Sequence, residues 1–130
     1  MQITRLTEAK PYHAANHFDM SCLRLQGWDA TDARRFWVGL SHILPGGHTA
    51  VDAAPVEKVY IAVAGTVTVV SGDVTVDLEP LDSCYLAPGE SRTLHNRTNQ
   101  PASVILVMPY RDNGLVGGRY ALEANPGREL

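Results

Sequence analysis

The feature that most constrains this chain is its punctuation. Short apolar or β-branched runs recur along its length, each cut off by Gly, Pro, Asn or Asp. Residues 66–70 and 74–78 are rich in Val and Thr and are joined by Ser71-Gly72-Asp73, which predicts a tight hairpin. Residues 22–25, 35–44, 57–63, 83–86, 92–95 and 103–108 read as further strands, and the run at 35–44 is expected to stop at Pro45-Gly46-Gly47. No stretch holds a helical apolar period over the roughly 11 residues such a test needs, and 29–34 has room for a single turn at most. Closely spaced strands with frequent turn signals specify an all-β sandwich or barrel. At 130 residues the chain is one domain, 1–130. The barrel core is expected at about 20–110, behind an N-terminal arm and ahead of a short Gly-rich C-terminal tail.

Composition narrows the partners. A net charge of −3 gives no electrostatic reason to bind nucleic acid or an anionic membrane. No apolar run approaches the roughly 20 residues of a membrane span, and the first residues lack the apolar stretch of a signal peptide. Cys22 and Cys84 have no metal-like spacing, so free core thiols and a cytoplasmic location are expected. Of the basic residues nine are Arg and only two are Lys, at 10 and 58. Lys58 falls inside the apolar run EKVYIAV, an unusual place for a charge.

Two stretches carry a resemblance. Residues 45–65 read PGGHTAVDAAPVEKVYIAVAG and residues 82–101 read DSCYLAPGESRTLHNRTNQP. They resemble the two conserved blocks of the cupin superfamily, matched without gaps on Pro45, Gly46, Gly47 and Gly65, then Asp82, Gly89 and Asn96. The resemblance spans roughly 36–110 and implies a cupin, jelly-roll-like β-barrel. Carried over position by position, the usual metal ligands do not survive. The two His of the first block fall on Asp52 and Ala54, the Glu on Lys58, and the His of the second block on Arg92. Two cations and a methyl group cannot hold a divalent ion that takes imidazole and carboxylate, so no metal and no other cofactor is expected there.

Period-two alternation puts Lys58, Tyr60 and Ala62 on one strand face. If the resemblance sets the register, that face lines the barrel, and Asp52 and Arg92 enter the same cavity from neighbouring strands. Lys58 and Arg92 would then take over the metal's electrophilic role and hold a carboxylate, enolate or phenolate. Asp52 is the candidate general base, and Tyr60 is the aromatic candidate for the pocket wall. The expected function is a metal-independent isomerase, lyase or decarboxylase acting on an anionic organic acid. Two alternatives stand beside it: a non-catalytic module that binds a carboxylate or sugar acid, and a metal-dependent cupin with unorthodox ligands from His42, His48, Glu57 and His95. The bland reading, a buried Asp-Lys-Arg cluster that merely fills the hole, stays open as well.

His42 faces either the cavity, where it would join the substrate-binding set, or a sheet partner. His48 and His95 are expected at the surface. His13 and His17, in the N-terminal arm, could fold over the barrel mouth. Trp28, Phe36 and Trp37 are expected between sheets or at the interface of a homodimer, which the resemblance implies.

Overall fold

The computed structural model describes residues 1–110 and the backbone of two short strands beyond them. After a 3₁₀ turn at Leu6–Glu8 the chain is β throughout: β1 (Lys10–Tyr12), β2 (His17–Gln26), β3 (Phe36–Thr49), β4 (Asp52–Ala53), β5 (Lys58–Ala64), β6 (Val67–Ser71), β7 (Val74–Leu78), β8 (Ser83–Leu86), β9 (Ser91–His95) and β10 (Ala102–Pro109), then β11 (Leu115–Val116) and β12 (Arg119–Tyr120). The all-β expectation holds. Most of the Gly-rich tail expected at 111–130 lies outside the described residues. No helix among the described residues is long and apolar enough to cross a membrane.

Every pairing is antiparallel. The strands run β7-β6-β9-β3-β10-β5-β8, with β1 added on β2, β2 on β3, and β4 on β9. β3 belongs to both halves of the resulting, nearly closed barrel. Its first part lies between β2 and β10, and its far end meets β9 through His48 opposite His95.

That continuity overturns one expectation. Pro45-Gly46-Gly47 does not end the strand; it bends it, and β3 runs on to Thr49. Gly47 makes the bend possible, because a Cβ there would lie 2.6 Å from the Asp19 carbonyl oxygen and 2.8 Å from Ile43. The neighbouring strand answers with a break in register between Phe18 and Met20. The hairpin of β6 and β7 forms as expected, with Ser71 opposite Val74.

Alternation sorts side chains cleanly. On β5, β9 and β10 the buried residues are Lys58, Tyr60 and Ala62; Arg92 and Leu94; and Ala102, Val104, Leu106 and Met108. These faces meet Trp37 and Ile43 of β3 in one core that also takes in Trp28 and Tyr110. Trp28 and Trp37 are therefore inside, whereas Phe36 is exposed. Cys22 is buried and Cys84 half-buried, and neither is in a disulfide.

Candidate functional site

The barrel interior carries charge where alternation and register put it. Lys58 is 3 % exposed and Arg92 is 2 % exposed, each on the inward face of its strand. Arg92 spans the interior from one half of the barrel to the other. Its Nε donates to the Tyr60 hydroxyl at 2.8 Å, and its Nη1 donates to Thr49 Oγ1 and to the Ala50 carbonyl, both at 3.2 Å. Three oxygens from two strands and a loop thus fix the plane of the guanidinium. Tyr60, itself 1 % exposed, is two residues from Lys58 on the same face. Lys58, Tyr60 and Arg92 therefore occupy one region of the interior.

Asp52 lies directly opposite Arg92 where β4 pairs with β9. Residues so opposed point to the same side of a sheet, but Asp52 is exposed. It stands at the rim while Arg92 reaches inward. Ala54, on the second His position of the resemblance, is buried and brings no donor.

His42 does not join this group. It falls on the other face of β3 from Trp37 and Ile43, and its Nδ1 is 2.7 Å from Ser103 Oγ on the outward face of β10. The inward alternative for His42 is corrected accordingly: strict alternation across a regular part of β3 carries it outside. The unorthodox metal set is dispersed for the same reason. His48 and His95 stack on the outer surface, with ring centroids 5.8 Å apart, and Glu57 accepts a hydrogen bond from the exposed Tyr85 hydroxyl at 2.8 Å. Among the described residues no group of three or more His, Cys, Asp or Glu side chains is placed to hold a metal ion. The residues at the family's metal positions do not fit one either, since they offer a single exposed carboxylate beside two cations.

Surroundings perturb two groups outside the barrel interior. Burial, then the charges of Arg97 and His48, hold His95 below its ordinary 6.5. The hydrogen bond from its hydroxyl to Glu57 pushes Tyr85 above 10.0.

Two interior residues escaped the sequence reading. Thr49 is buried, and its hydroxyl also accepts from the Leu94 amide at 3.0 Å, which ties β3 to β9 beside Arg92. Arg24 is a third buried cation, 2 % exposed. Its guanidinium carbon lies 3.6 Å from the Tyr12 ring centroid, 4.5 Å from that of Trp28 and 5.0 Å from that of Trp37. The registers place Arg24, Gly39, Leu106, Tyr60 and Cys84 in one row across the sheet, so Arg24 and Tyr60 share the inward face. A separate open groove of about 420 Å³ lies along β1 and β2, lined by Pro11, Tyr12, His13, Met20, Ser21 and Cys22.

Comparison with known proteins agrees with this barrel. The family model described as "Cupin domain" matches residues 39–108, more than half of the chain. The chain belongs to the cupin family. A relative from Mycobacterium tuberculosis named Beta-D-galactosidase Rv1717 is 38% identical to this cupin over 110 residues, which covers 85% of this chain and 95% of that protein. Among solved structures, the polyketide cyclase RemF from Streptomyces resistomycificus superposes with a TM-score of 0.75 at 18% identity, covering 99% of both chains. A sugar phosphate isomerase from Silicibacter pomeroyi superposes with a TM-score of 0.71 at 19% identity, covering 82% of this chain and 74% of its own. At those identities the two structures speak for the fold alone.

Proposed function

We propose that this cupin acts on a small anionic organic acid, using Lys58 and Arg92 in place of a metal as the groups that bind and polarise the carboxylate. The observation that carries the reading is the near-complete burial of both cations, on inward faces, at positions where the family's blocks put metal ligands. Positive charges in a low-dielectric interior attract a carboxylate far more strongly than they would in water. They attract the enolate formed on losing the neighbouring proton more strongly still, which is the condition for catalysis. Isomerisation, elimination or decarboxylation of an organic acid fits such a site. Tyr60 holds Arg92 in plane and forms part of the wall, and Asp52 stands at the entrance. A non-catalytic carboxylate module would use the same cations without the chemistry.

The test is a thermal-shift panel of D-galacturonate, D-gluconate, citrate and 4-hydroxybenzoate, run on wild type, Lys58→Met and Arg92→Leu, followed by proton NMR of each binder in D₂O. At least one acid is expected to raise the wild-type Tm, as any ligand specific to the native state does, and the rise should vanish in both variants. Shifts that survive both substitutions would sink the reading. Binding without product or isotope exchange would leave the module rather than the enzyme.

A second reading takes a neutral galactoside as the substrate, and the 38% identical relative named as a β-D-galactosidase favours it. Glycoside hydrolysis ordinarily uses two carboxyl groups about 5–9.5 Å apart. The three interior positions described above carry Arg24, Lys58 and Arg92 instead. Release of 4-nitrophenol from 4-nitrophenyl β-D-galactopyranoside, retained in Arg92→Leu, would favour this second reading over the first.

A further inference from the structure

Resting on the anion-site reading, we propose that His17 is the acid–base group of this cavity. His17 opens β2 and lies directly opposite Thr49 at the far end of β3. Opposed residues of an antiparallel pair share a face, with Cβ atoms about 5 Å apart. Thr49 is on the inner face, where its hydroxyl takes the hydrogen bond from Arg92. The next residue along confirms the parity. Phe18 lies opposite His48, its ring 5.0 Å from the His48 ring on the outer surface, so the Cβ of His17 falls on the inner face. It is half-buried.

The entrance to β2 is fixed rather than loose. Asn16 takes a left-handed φ of 58°, and its carbonyl accepts from the Ala50 amide at 2.9 Å, one residue past Thr49. Ala14 just before it is buried. His17 Nδ1 is 2.8 Å from the Ala15 carbonyl, and a carbonyl can only accept. Nδ1 therefore carries the hydrogen of that bond, which leaves Nε2 as the nitrogen that exchanges a proton. The other imidazoles are elsewhere: His13 is exposed, and His42, His48 and His95 lie on the outer face.

In the reaction, Nε2 takes the proton from the carbon next to the substrate carboxylate. The C–H electron pair moves into the enolate, whose oxygens are held by Arg92 and Lys58. The protonated imidazole then returns a proton to that carbon, and no further reactant is consumed.

D-Galacturonate serves as the probe, because its C5–H is next to the carboxylate. Exchange of that proton is followed by NMR in D₂O, and binding by titration calorimetry, for wild type, His17→Gln and Arg92→Leu. His17→Gln should bind within about threefold of wild type yet exchange about 10²–10⁴-fold more slowly, the usual contribution of a positioned acid or base. The side-chain ¹⁵N signals of His17 should move when D-galacturonate is added to wild type, and stay put in Arg92→Leu. Exchange at the wild-type rate in His17→Gln, or Arg92-dependent binding that leaves the His17 signals still, overturns this assignment and spares the anion site. Binding that ignores Arg92, or none at all, overturns both.

Discussion

The substitution Thr49→Val tests the site's scaffold most directly, because it removes one hydroxyl and keeps the branched shape. Thr49 is 2 % exposed and its oxygen accepts two hydrogen bonds, from Arg92 Nη1 at 3.2 Å and from the Leu94 amide at 3.0 Å. The second stands in for a backbone bond, since His48 opposite His95 is the only residue pair joining β3 to β9 among the described residues. Valine leaves a buried N–H without an acceptor, at a cost of about 1–3 kcal/mol, and removes a hydrogen bond to a charged group worth about 1.5–3 kcal/mol. The added methyl returns roughly 0.8 kcal/mol of apolar burial. A net loss of about 2–5 kcal/mol follows. For a domain of this size that lowers Tm by roughly 10 °C, taking a few degrees per kcal/mol. Urea unfolding read by tryptophan fluorescence measures it, with Thr49→Ser as the control that keeps the hydroxyl. A valine variant within about 0.5 kcal/mol of wild type would refute the reasoning, as would valine and serine variants that lose the same amount.

Other perturbations read other parts of the barrel. Asn96 is buried, donates to the Ile43 and Gln100 carbonyls at 2.9 and 2.7 Å, and accepts from the Thr98 amide and hydroxyl at 3.0 and 2.7 Å. Asn96→Ala should cost about 2–4 kcal/mol in urea unfolding, and a loss under about 1 kcal/mol would contradict that network. Gly65 has a φ of 65°, and a Cβ there would lie 2.6 Å from the Pro101 carbonyl oxygen, whereas at Gly72, with a φ of 59°, it would meet nothing within 4 Å. Gly65→Ala should therefore lower Tm clearly more than the roughly 1–2 kcal/mol left-handed penalty expected of Gly72→Ala, and equal losses would count against the close approach. Because His95 is held below 6.5 in the folded chain, the unfolded chain binds its proton first as pH falls. Stability is thus full above about 6.5 and declines below it, and His95→Gln should flatten urea midpoints compared between pH 7.5 and 5.5; parallel curves would argue against the shift.

Much of this barrel is legible because its signals are local. The run 66–78 contains its own turn, and the alternation KVYIAV fixes which side chains share a face whatever the strand pairs with. The metal positions came from the resemblance, which put Asp52 and Arg92 on neighbouring strands, and the structure pairs them directly; a resemblance carries no depth, so Asp52 at the rim could not be told from Asp52 inside. Arg24 was hidden for a physical reason. In SCLRLQ the apolar alternation turns Leu23 and Leu25 inward, yet Arg24 is the buried residue and both leucines are half-buried. What reverses the face is nonlocal: rings from Tyr12, Trp28 and Trp37 enclose the guanidinium, and Gly39 opposite leaves room for two of them, since a Cβ there would lie 2.9 Å from Trp37 and 3.0 Å from Tyr12. β1 and β4 were missed because strands of three and two residues carry no period to read.

The refilled site also limits which reactions deserve a search. A divalent metal polarises a carbonyl and lowers the pKa of bound water, so a metal cupin can deliver hydroxide. On the proposed reading Lys58 and Arg92 keep the first capacity, since positive charge near an oxygen is all it needs, but have no open coordination position for the second. Hydrolysis by this cavity would need a separate base for water and an acid for the leaving group. Proton transfer on a bound acid needs one group that can give back what it takes, and a half-buried imidazole beside the Arg92–Thr49 pair has that character. Burying Arg24, Lys58 and Arg92 also stabilises a fold less than apolar side chains of like size would. On the proposed reading, an anion that meets Lys58 and Arg92 accounts for charges that the fold alone does not require.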